Sequence, residues 1–126
     1  MHCGDTLLIP APGSTVVPHL WIIVTEPTAD EHLCVIVNVT TLRGNRDQTV
    51  TLGLGDHPFI THSSVVLYGD AQIVDSRRLE AYLHACVAER REPCSEKLLK
   101  LVQSGIAHSP FTPKKVVAFC RNQWRQ

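Results

Sequence analysis

The stretch "SSVVLYGDAQIVDSRRLEAYL", residues 63–83, changes its period half way along. Up to Val74 it is β-branched and apolar, one or two strands interrupted at Gly69. From Asp75 the apolar residues Leu79, Tyr82, Leu83 and Val87 fall at i, i+3, i+4 and i+8, the spacing of one helix face, with Asp75 or Ser76 available as N-cap. The switch predicts an α+β chain, mainly β, in one domain of 126 residues: a β part over 1–74 and a helical part over 75–126.

Working outward from the switch, the upstream sequence reads as short strands. "DTLLIPA" leads to a loop marked by Pro10, Pro12 and Gly13. "HLWIIVT" stops at Pro27, and "HLCVIVNVTT" is closed by "RGNRD". "QTVTLGL" alternates, with Val50, Leu52 and Leu54 on one face. Short strands with no helix between them predict an antiparallel sheet that curls into a small barrel of five to seven strands. Trp21 and Ile23 should alternate with Ile22 and Val24 between its two sides. Downstream, Pro93 ends the first helix. Ser95 caps a second, lined by Leu98, Leu99, Val102 and Ile106. Thr112 caps a third, with Pro113 at its first position and Val116, Val117, Cys120 and Trp124 on one face.

Composition narrows the classes. Hydrophobic residues make up 44% and charged residues 19%, which is globular. "LWIIV" is too short to span a bilayer, and "MHCGDTLLIP" lacks the features of a signal peptide. Five scattered cysteines without Cys-x-x-Cys spacing point to reduced thiols and a cytoplasmic protein. Net charge is zero, yet residues 1–76 hold eight carboxylates against Arg43 and Arg46, a net of −6, and residues 77–126 carry +6. The asymmetry implies either an attachment surface on the helical half or complementary halves docking together.

Candidate chemistry centres on "DHPFITHSSVVLY", residues 56–68. His57 and His62 are five apart, so a continuous strand would split them between faces, whereas a turn would bring them together with Thr61, Ser63 and Ser64. That set suits acid–base work near neutral pH; the plainer reading is a polar loop before a strand. No cofactor is expected. No metal site is expected either, since His84 and Cys86 diverge on a helix, and neither a phosphate-cradling glycine loop nor a Gly-x-Ser-x-Gly elbow is present.

The chain resembles the MazF/PemK-like toxins, small SH3-like barrels, over residues 4–85. The resemblance is carried by Gly4–Asp5, Pro12–Gly13, "HLWIIVT", "VIVNVTTLRG" and "SSVVLYGDAQIVDSRRLEAYL". It implies an SH3-like barrel followed here by three helices, a homodimer, an antitoxin-like partner, and metal-independent cleavage of RNA. Thr40–Thr41 keeps the family's Thr-Ser step, while His19 and Leu20 stand where the family reads Arg-Pro. His19, Thr40, Thr41, His57, His62 and Ser64 are thus the candidate catalytic residues, with Arg43 or Arg46 steadying the phosphate. The alternative is a non-catalytic binding module with no membrane role. Its last helix would contact a protein or nucleic acid through Lys114, Lys115, Arg121 and Arg125, beside Asn122 and Gln123.

Overall fold

The computed structural model describes residues 1–10 and 18–125; the loop containing Pro12 and Gly13 lies outside them. The elements are β1 (Thr6–Pro10), β2 (Pro18–Ile23), β3 (Leu33–Thr41), β4 (Thr51–Leu52), β5 (Ser64–Asp75), α1 (Ser76–His84), β6 (Glu89–Arg91), α2 (Glu96–His108) and α3 (Lys114–Trp124). The strands form one antiparallel sheet in the order β4-β5-β3-β2-β1-β6, curled as a half-barrel, with three helices. Among the described residues no helix occurs before Ser76.

The alternation along β2 and β3 divides the core. Leu20 pairs with Val39 and Ile22 with Val37; these join Leu8 and Val24 on the face covered by Leu98, Val102 and Ile106 of α2 and Val116 and Cys120 of α3. Trp21 pairs with Asn38 and Ile23 with Ile36; Leu7, Ile23, Cys34 and Ile36 pack under Leu79 of α1 on the other face. Trp21 and Ile23 thus do lie opposite Ile22 and Val24. Near-continuous apolar strands arise because both faces are covered.

Three local expectations are corrected. Helix α1 ends at His84, well before Pro93, because Cys86 enters the left-handed region at φ 58°; Val87 therefore lies outside the helix, half exposed. The chain then returns as β6, beside β1. The strand expected over 48–54 shrinks to Thr51–Leu52: Asp56 accepts a hydrogen bond from the Gly53 backbone at 2.7 Å, and the resulting turn leaves Leu54 exposed. Pro113, not Thr112, caps α3, and the Thr112 hydroxyl is buried without a partner among the described residues. The Asp75 and Ser95 caps are present, accepting from the backbone N–H of Arg77 and Leu98.

Candidate functional site

Between β3 and β5 the register jumps. Ile36 faces Gln72 and Asn38 faces Leu67, so the segment Tyr68–Ala71 bulges out opposite Val37. Helix α1 covers the sheet face up to Ile36; beyond the bulge that same face is open. The opening is a groove of about 550 Å³ lined by His19, Trp21, Asn38, Thr40, Arg46 and Asp70 among others. It adjoins a smaller recess of about 120 Å³, lined by His19, Thr40, Thr41, His62 and Ser64.

The fold therefore brings together five of the six catalytic candidates. His62 Nε2 lies 2.9 Å from Thr41 Oγ1, with Thr61 Oγ1 3.3 Å from Nδ1. Ser64 is buried and donates its hydroxyl to the His62 carbonyl at 2.9 Å, which fixes the loop but occupies that proton. His19, half buried at the start of β2, lines both cavities. Arg46 donates through Nη1 to Thr40 Oγ1 at 2.9 Å and to the Thr41 carbonyl at 2.6 Å. Among the described residues its guanidinium has no carboxylate within ion-pair distance. A planar cation held by neutral oxygens beside an open groove is suited to an oxyanion.

His57 is the exception. It is buried outside both cavities, its Nδ1 accepting from Phe59 N–H at 3.0 Å. That bond makes Nε2 the protonated nitrogen, and it donates to the Glu92 carbonyl at 2.6 Å. With Thr6 Oγ1, which donates to the same carbonyl at 2.7 Å, it stitches the β4–β5 loop to the chain after β6, joining the two edges of the curled sheet. Arg43 is exposed and lines neither cavity. Lys114, Lys115, Arg121 and Arg125 are exposed on or beside α3, also outside both.

Behind Arg46, Asp47 is buried. It accepts from Thr49 N–H at 2.9 Å, Thr49 Oγ1 at 2.6 Å and Ser109 Oγ at 2.5 Å. Burial alone would raise its pKa, but the hydrogen bonds from Ser109 and Thr49 outweigh it and hold the carboxyl below its ordinary value. The network ties the Arg46 loop to the α2–α3 turn, which carries the exposed Phe111.

Sequence reasoning missed Asn38, Asp70 and Phe111. Asn38 could have been found as the lone amide in an apolar run, since a buried polar residue is the informative exception. Asp70 and Phe111 gave no local signal. Burial lifts the thiols of Cys34, Cys94 and Cys120 to about 12, making them poor nucleophiles. Among the described residues no cluster of three His, Cys, Asp or Glu side chains could hold a metal ion, and no helix is long and apolar enough to cross a membrane. No protein-family model and no curated protein matches the chain.

Proposed function

We propose that the groove binds RNA and cleaves its backbone without a metal, as the resemblance to MazF/PemK-like toxins implies, in the cytoplasm. The observation that carries this reading is Arg46, a cation fastened to Thr40 and Thr41 with no carboxylate partner among the described residues, sharing the groove with His19 and linked through Thr41 to His62. The 2′-hydroxyl of the substrate attacks the adjacent phosphorus as one histidine takes its proton. The 5′-oxygen leaves with a proton from the other, giving a 2′,3′-cyclic phosphate and a 5′-hydroxyl end. His19 and His62 fill these roles, Thr41 orients His62, and Arg46 meets the charge that builds on the phosphoryl oxygens.

The test is incubation of the pure protein with RNA in the presence of chelator. Cleavage should persist. His19→Ala and His62→Ala should each lower the rate by about two to four orders of magnitude, and Arg46→Ala by about two to three. Absence of chelator-resistant cleavage, or an Arg46→Ala variant as fast as the native chain, would overturn the proposal.

One observation favours the binding-module reading. Lys114, Arg121 and Arg125 fall within one helical side of α3, all exposed, without ion pairs among the described residues. Reversing these three charges should abolish RNA retention if that side is the contact, and leave it intact if the groove is.

A further inference from the structure

Two acceptors sit side by side in the groove. Asn38 is 5% exposed, and its Oδ1 has no hydrogen-bond partner among the described residues. Its Nδ2 donates to Asp70 Oδ2 over a long 3.4 Å, which fixes the amide's orientation and leaves the carbonyl side unmatched. Asp70 is exposed at the bulge, and its carboxylate accepts only. A buried amide oxygen left unmatched beside an open groove is a site that lacks its donor.

On the far side of Asp70 the groove continues into a hollow of about 300 Å³ lined by Arg46, Leu67, Gly69, Asp70 and Phe111. Phe111 is 61% exposed, unusual for an aromatic in a turn tied down on both sides. Its N–H donates to Ser109 Oγ at 3.1 Å, and Ser109 in turn donates to the buried Asp47 next to Arg46. The turn that carries the ring is thus tied to the loop that carries the guanidinium. A cation for a phosphate, an exposed ring for stacking and a pair of acceptors for a base edge are the parts of a single-stranded nucleotide site.

Resting on the proposed RNA reading, we infer that Phe111, Asp70 and Asn38 form a subsite for one unpaired guanine next to the phosphate held by Arg46. The choice among bases follows from donors and acceptors. The Watson–Crick edge of guanine offers two adjacent donors, N1–H and N2–H. Adenine and cytosine each alternate an amino donor with a ring acceptor, and uracil has a single N–H between two carbonyls. Two neighbouring acceptors, one of them charged, are complementary to guanine alone. Binding exchanges the long Asn38 Nδ2–Asp70 bond for bonds to the base, which frees the amide to turn its oxygen toward the same edge.

The test uses 2′-O-methyl oligouridines, which cannot undergo the cleavage, with guanine, inosine, adenine, cytosine or uracil at the central position. Fluorescence anisotropy should rank guanine tightest. Inosine, which lacks only the N2 amino group, should bind roughly tenfold more weakly. Asp70→Asn should erase the preference. Phe111→Ala, an exposed change, should weaken all five oligonucleotides by about ten- to a hundredfold while keeping their order. Binding that ignores the central base, a guanine preference that survives Asp70→Asn, or no binding at all would overturn the subsite. Cleavage of ordinary RNA without guanine preference would leave the nuclease reading standing and sink this one; guanine-selective binding without cleavage would do the reverse.

Discussion

Two histidines five residues apart occupy unlike chemical situations. His62 is exposed and bonded to a threonine at the rim of the recess; His57 is buried with both nitrogens engaged. His57→Ala should therefore act on stability, lowering it by about 1–3 kcal/mol, since it strips the Phe59 amide of its acceptor and leaves the Glu92 carbonyl with Thr6 alone. Thermal unfolding measures this, and any surviving cleavage should keep its native pH profile; an unchanged midpoint would contradict the seam role. His57 was unreadable from sequence because its partner, the Glu92 carbonyl, is 35 residues away and belongs to the backbone. Asp47 provides a second residue-level expectation. Its carboxyl pKa is depressed in the fold, so its contribution is fully present above the ordinary value of 3.8 and is lost as pH falls through the folded value. An Asp47→Asn variant should lose part of the native acid slope of stability below about pH 4, as followed by urea unfolding at stepped pH; identical slopes would mean the network is dispensable.

At the scale of elements, legibility followed the source of each element's stability. Strands β2 and β3 and helices α1 and α2 carry their period in their own side chains, and the Asp75 and Ser95 caps were visible beside them. Strand β6 is Glu89-Arg90-Arg91, without alternation of apolar and polar residues, and is a strand only because β1 offers it an edge. The groove was illegible for a related reason: it is made by a bulge, and a register jump depends on two strands at once. Helix α2 shows the reverse case, a residue unfavourable locally but required in tertiary context. Gly105 costs helix stability relative to alanine, about 1 kcal/mol, yet the ring and hydroxyl of Tyr68 occupy the space its Cβ would take. Tyr68 meanwhile donates to the Val102 carbonyl at 2.7 Å, one turn earlier on α2. Gly105→Ala should thus destabilise by about 1–3 kcal/mol despite its better propensity. A gain in melting temperature would show that α2 does not seat on Tyr68.

Across the whole molecule, the acidic and basic halves are joined by apolar packing far more than by charge. Of the ion pairs among the described residues, Arg90 with Asp5 at 3.2 Å and the N-terminal amine with Glu80 at 3.2 Å bridge distant parts of the chain between the two halves. The main core, by contrast, runs without a break from Leu20, Ile22 and Val37 into Leu98, Val102, Ile106, Val116 and Cys120. Apolar residues on both faces of the strands are covered within one chain by α1 on one side and α2 and α3 on the other. The large apolar side chains left exposed, Leu54, Val87, Leu101, Phe111 and Trp124, belong to separate loops and helices. The β part is therefore not an independent unit. Burying a Leu, Ile or Val side chain is worth roughly 1.5–3 kcal/mol, so losing Leu98, Val102, Ile106 and Val116 with α2 and α3 forfeits an amount comparable with the whole net stability of about 5–15 kcal/mol typical of a domain. A fragment ending at residue 92 should lack a cooperative thermal transition, bind a hydrophobic dye and aggregate, whereas the full chain should unfold in one step seen alike by far-ultraviolet and tryptophan signals. A fragment that melts cooperatively would show that the half-barrel closes its own core and that the helices are an appended module.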